Sequence, residues 1–118
     1  MKALIVDDNQ EISELLSIFL KSKGFDTVEI NDPRIALDHL KEEKYDITIL
    51  DISMPELSGI DIIQTLEKEQ ILRNQKIIIF SALARANFQV PELLKKEGIY
   101  GCLKKPVQLQ ELVTAITN

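Results

Sequence analysis

Short aliphatic runs, widely spaced, dominate the hydrophobic pattern of this chain: Leu4-Ile5-Val6, Ile47-Thr48-Ile49-Leu50, Ile77-Ile78-Ile79-Phe80 and, more weakly, Ile99-Tyr100-Gly101-Cys102-Leu103. Runs of this length, apolar at nearly every position, suit strands covered on both faces of a parallel sheet. Phe25-Asp26-Thr27-Val28-Glu29-Ile30 mixes polar with apolar residues and reads as an edge strand. Between the runs the period becomes helical. Ile12, Leu15, Leu16, Phe19 and Leu20 make one stripe of a first helix ending near Gly24. Asp32 and Pro33 form an N-cap and N1 pair that opens a second helix through Leu40. A third helix is expected from near Ser58, turning Ile63 and Leu66 inward, and a last one carries Leu109, Leu112, Val113 and Ile116. Pro91 fits the first position of a short fourth helix over residues 91–97, which leaves residues 82–89 as a loop.

Strands that alternate with helices require crossover connections of one hand. This predicts the α/β class, a doubly wound parallel sheet of five strands with helices on both faces. A length of 118 residues fits one domain, 1–118, with no attached effector, and no repeat, linker or low-complexity tract divides it. With 45% hydrophobic and 28% charged residues, the chain has the balance of a globular protein rather than a disordered or membrane one. Acidic residues end the first apolar run too early for a secretory signal, so a cytoplasmic location is the expectation. The single cysteine, Cys102, excludes an internal disulfide and a cysteine-built zinc site. A net charge of −5 argues against direct nucleic-acid binding, and the chain has no basic amphipathic helix for a membrane surface.

In a parallel sheet the residues that close each strand share one rim, where ligands bind. Here that rim collects Asp7-Asp8, Asp51, Ser81 and Lys104-Lys105-Pro106. Three carboxylates in close company repel one another unless protons or a cation intervene, and a hard divalent cation is the simpler remedy. Mg²⁺ suits an all-oxygen set, and the lack of histidine or cysteine at the rim disfavours zinc or copper. A lysine and a hydroxyl beside such an ion turn the reading from metal storage to phosphoryl chemistry. A carboxylate can be the nucleophile, and Asp51, alone at the end of a central strand, is the candidate.

Together, Leu4-Ile5-Val6-Asp7-Asp8, Asp51-Ile52-Ser53-Met54-Pro55 with Gly59, Ser81-Ala82 and Lys105-Pro106 form a set, in this order, by which the whole chain resembles the receiver domains of response regulators, including stand-alone chemotaxis regulators. The resemblance, not the periodicity, supplies the flavodoxin-like strand order 2-1-3-4-5. It implies phosphorylation of Asp51 by a histidine kinase or phosphotransfer protein in a two-component system. It further implies Mg²⁺ bound directly by Asp8 and through water by Asp7, with the Ser53 backbone carbonyl as a further ligand beside Asp51. Ser81 would hydrogen-bond the phosphoryl group, Lys105 would form an ion pair with it, and the Lys105-Pro106 bond would be cis. The output would pass to a downstream protein or a covalently linked effector domain.

Receivers commonly place an aromatic ring three positions before that lysine. Here the position is Cys102, which cannot act as a large swinging ring. The stretch from Ser81 to Lys105 is slightly long and contains Pro91, so an unusual fourth helix is expected. Ser53 and Leu83 stand where receivers tune dephosphorylation.

Taken one at a time these signals are weak. An acidic pair after a strand is more often a solvated turn, and Ser81 alone is an ordinary strand end. Lys104 reads as a solvated charge, His39 as an exposed helix residue, Cys102 as a small buried hydrophobe, and Lys41-Glu42-Glu43-Lys44 as a solvated helix end. A competing function is a Mg²⁺-dependent phosphatase with an aspartate nucleophile, but such enzymes need a second carboxylate two residues on, where this chain has Ser53. A flavodoxin-like cofactor carrier would expect a phosphate-cradling loop after the first strand, where Asp7-Asp8 would repel the phosphate. A single-domain relay and a receiver within a longer regulator fit the residues equally.

Overall fold

The computed structural model describes residues 1–52, 59–81, 90–104 and 109–117. Five strands, β1 (Lys2–Val6), β2 (Asp26–Ile30), β3 (Ile47–Asp51), β4 (Ile77–Ser81) and β5 (Ile99–Lys104), form one sheet in the order β2-β1-β3-β4-β5. Every neighbouring pair is parallel. This is the doubly wound arrangement expected, with the mixed-polarity strand β2 at one edge.

Strand residues alternate between the two faces, and each face has its own helices. Leu4, Val6, Leu50, Ile77 and Ile79 meet Ala36 and Leu40 of α2 (Pro33–Glu42), Ile62, Ile63 and Leu66 of α3 (Gly59–Lys68) and Leu93 of α4 (Val90–Leu94). Ala3, Ile5, Ile47, Ile49, Ile78 and Phe80 meet Leu16 and Leu20 of α1 (Gln10–Ser22) and Leu112 of α5 (Leu109–Thr117) on the other. Each fully buried leucine or isoleucine contributes about 2 kcal/mol.

The helix ends follow the residues that cap them. Asn9 accepts from the Ile12 amide at the start of α1, and Asp32 accepts from the Arg34 amide with Pro33 in the first turn of α2. After α1 the chain reverses at Gly24, whose φ of +92° favours glycine. At the far end of the molecule Lys76 Nζ donates to the Ile116 carbonyl at 3.1 Å, placing a positive charge against the last turn of α5.

Four details differ from the sequence pattern. Leu15 is half exposed, and the buried face of α1 turns instead to Ser13 and Ser17, because β2 offers polar partners: Ser17 Oγ lies 2.6 Å from Thr27 Oγ1. The fourth helix, described over Val90–Leu94, ends before the expected Glu97, while the loop anticipated over 82–89 lies outside the described residues. A 3-10 turn, Leu72–Asn74, precedes β4 and had no periodic signal. In β5 the pairing skips Tyr100, since Ile77 faces Ile99 and Ile78 faces Gly101. That bulge leaves the Tyr100 ring exposed beneath Lys76 Nζ.

Candidate functional site

β1 and β3 are neighbours, and their register pairs Val6 with Leu50. The next residue on each strand, Asp7 and Asp51, therefore comes side by side at the C-terminal rim, and Asp8 follows on the turn into α1. Asp7 and Asp51 are 2% and 1% exposed, whereas Asp8 is open to solvent. One oxygen from each of the three carboxylates lies within 4.8 Å of the others. The turn is braced from within: Asp7 Oδ1 accepts from the Asn9 amide at 2.9 Å, and Asn9 in turn caps α1.

Glycine is required where α3 meets the end of β3. A Cβ on Gly59 would overlap the Asp51 carbonyl oxygen and press on Ile52 Cα, so only a bare backbone lets the helix start this close to Asp51. On the other side of β3, Asp51 pairs with Phe80, and Ser81 closes β4 opposite Lys104 of β5. The backbone of Ser81 thus reaches the same rim. Its side chain, Ser53, Lys105 and Pro106 lie outside the described residues, and so does the cis bond expected between the last two.

The donor set fits a hard divalent cation. All three groups are oxygen donors of one charge, and two are withdrawn from the solvent that would otherwise screen them. Among the described residues, Asp7, Asp8 and Asp51 are able to hold such an ion.

Cys102 is half-buried and packs on the core of the α2–α3–α4 face, and burial pushes its thiol above the usual range. It fills space there as a small apolar side chain does. His39 is only partly exposed, because its Nδ1 lies 2.9 Å from Tyr45 Oη. The sequence reading missed Asn31 and Ser13, which grip the turn bearing Asp7. Neither has a periodic or motif signal, since the grip joins residues 24 apart in the chain.

An acidic rim on a sheet of order 2-1-3-4-5 defines a class, and sequence comparison agrees with it. The family model for the response regulator receiver domain matches residues 3–117, and the chain belongs to this family of two-component signalling domains. It is 34% identical over 116 residues to the transcriptional regulatory protein CpxR homolog of Haemophilus influenzae, covering 98% of this chain and 48% of that protein. It therefore spans about half the length of that relative. The polar-differentiation response regulator DivK of Brucella anthropi is 26% identical over 98% of this chain and 92% of its own length. Among solved structures, the response regulator protein TrrA of Thermotoga maritima, in complex with Mg(2+)-BeF, superposes with a TM-score of 0.83 at 26% identity, over 98% of this chain and 96% of that one. Among the described residues, no helix is long and apolar enough to cross a membrane.

Proposed function

We propose that residues 1–118 act as one receiver unit in which Asp51 accepts a phosphoryl group with the help of Mg²⁺. The observation that carries this reading is the convergence of Asp7, Asp8 and Asp51 at the end of β1 and β3. The Thermotoga neighbour, solved with Mg(2+)-BeF, supports it, because that protein accepts a divalent cation together with a group of phosphoryl-like shape on the same fold.

In this reading a carboxylate oxygen of Asp51 attacks the phosphorus of a phosphohistidine on a sensor kinase or phosphotransfer protein. The new bond is an acyl phosphate. The P–N bond breaks, and the departing imidazole takes its proton from solvent. Mg²⁺, when bound, offsets charge on the phosphoryl oxygens. Asp8 would hold the ion directly and Asp7 through water, with the Ser53 carbonyl as a further ligand. Ser81 would donate to a phosphoryl oxygen, and Lys105 would pair with another. Water later attacks the phosphorus, releasing inorganic phosphate and restoring the Asp51 carboxylate.

The product is a changed surface rather than a released metabolite, read by a downstream protein or a linked effector domain. A cytoplasmic setting suits a kinase donor. The net charge of −5 suits a chain that leaves any nucleic-acid contact to a partner.

Incubation with acetyl phosphate and Mg²⁺ tests the reading by intact mass. One added phosphoryl group, labile to hydroxylamine and absent in Asp51→Asn, is expected. Labelling of Asp51→Asn at the wild-type rate removes Asp51 from its role, and labelling that survives chelation of Mg²⁺ removes the metal.

A further inference from the structure

The turn that bears the acidic pair is held from outside by a side chain with no part in the aspartate chemistry. Asn31, the residue after β2, donates from Nδ2 to the Asp7 carbonyl at 2.6 Å and to Ser13 Oγ at 3.1 Å. A backbone carbonyl can only accept, so this contact fixes which end of the amide faces the turn. Ser13 is fully buried, and its Oγ lies 3.1 Å from Glu29 Oε1 and 3.0 Å from the Gln10 carbonyl. Its one proton goes to one of these acceptors, which leaves a lone pair for Asn31. On the other side of the same residue, the Asp7 amide donates to the Ile30 carbonyl at 3.2 Å.

Both peptide planes flanking Asp7 are thereby pinned to residues 30 and 31. The carbonyl that Asn31 grips belongs to the peptide joining Asp7 to Asp8. Its plane sets the direction in which Asp8 leaves the strand, and so where the exposed carboxylate stands relative to the two buried ones. Carboxylates brought this close resist further approach, and the clasp fixes the turn that carries two of them. A turn held in place before the cation arrives has less freedom to lose when it binds.

From this geometry we infer that Asn31 is a positioning residue for divalent-cation binding by Asp7 and Asp8, an inference that rests on the metal reading given above. A contact of the same kind, Ser17 with Thr27, joins α1 to β2 one helical turn farther from the site. It provides the control: its loss loosens the same seam without touching the Asp7–Asp8 peptide.

The test is calorimetric titration with Mg²⁺ alone, paired with urea unfolding, on the wild-type chain and on Asn31→Ala, Ser13→Ala, Thr27→Val and Asp8→Asn. Asn31→Ala is expected to raise the Kd for Mg²⁺ about tenfold, in the range seen when groups supporting metal ligands are removed. Ser13→Ala should raise it less, because Asn31 keeps its bond to Asp7. Thr27→Val should lower the unfolding midpoint and leave Kd unchanged. A wild-type Kd in Asn31→Ala, alongside lost binding in Asp8→Asn, overturns the positioning role while the metal reading stands. Equal weakening by Thr27→Val and Asn31→Ala also overturns it, since the effect is then one of seam stability. Undiminished binding in Asp8→Asn removes the metal reading itself.

Discussion

At the N-terminal ends of the strands Lys2, His39, Glu43 and Tyr45 meet with mixed charges and matched donors, whereas at the C-terminal ends Asp7, Asp8 and Asp51 meet with charges of one sign. Tyr45 Oη donates to Glu43 Oε2 at 2.6 Å, so the His39 Nδ1 that lies 2.9 Å from the same oxygen must itself donate. Lys2 Nζ pairs with Glu43 at 3.4 Å and sits 5.1 Å from the centre of the Tyr45 ring. The groups shape one another's ionisation: the Tyr45 hydroxyl and then Lys2 hold Glu43 below its usual range, while burial and then Glu43 push Tyr45 well up. One rim is a clasp that the chain completes from its own residues. Among the described residues, the other brings three carboxylates together and buries two of them, an arrangement that makes sense as a receptor for a cation.

The largest expected effects come from the glycine at each end. Gly98 has φ +102° and lies so close to the Leu72 carbonyl that a Cβ would overlap it, so Gly98→Ala should cost about 3 kcal/mol in urea unfolding. Gly59→Ala should cost about 2 kcal/mol by overpacking against Asp51 and Ile52. Mg²⁺ titration then separates the two ends. Gly59→Ala should weaken binding because it displaces Asp51, and Gly98→Ala should leave the affinity of the folded protein intact. Equal effects on affinity would mean that the ends are not independent.

A smaller effect is expected at the clasp. Tyr45→Phe keeps the ring in the core but removes the hydroxyl, costing about 1 kcal/mol near neutral pH. Because the Tyr45 hydroxyl titrates higher in the folded chain than its ordinary value of 10.0, its contribution is complete below that pH. It is lost as pH rises beyond 10, where the unfolded chain ionises first. The alkaline fall in stability should therefore flatten in Tyr45→Phe, and an unchanged slope above pH 10 would place its origin elsewhere.

The smallest shifts should have opposite signs. Without Mg²⁺, Asp8→Asn relieves repulsion and should raise Tm by about 2 °C, whereas Glu43→Gln weakens the clasp and should lower it by a similar amount. A fall in both contradicts the contrast between the rims.

Much of this contrast is legible in the residues, and the reason is geometric. The aliphatic runs locate β1, β3 and β4 because a strand covered on both faces has no polar alternation to hide it. Once the sheet is parallel, Asp7, Asp8 and Asp51 must share a rim. What periodicity missed depends on contacts across the fold. Leu15 looks like a core residue of α1 by spacing, yet the polar residues of β2 draw Ser13 and Ser17 inward instead. Tyr45 and His39 show no motif, because their pairing exists only once the turn after α2 has brought Tyr45 back against the helix. The helical state of Val90 runs against the restriction that Pro91 places on its predecessor, and α4 ends by Leu94.

Reduction of the phosphorylated chain addresses the acidic rim most directly. Borohydride converts an aspartyl phosphate to homoserine and releases phosphate, leaving a mark that peptide mass mapping can place. After treatment with acetyl phosphate and Mg²⁺, homoserine is expected at position 51 and nowhere else. Homoserine at another acidic residue, with Asp51 intact, would contradict the assignment of the phosphoacceptor.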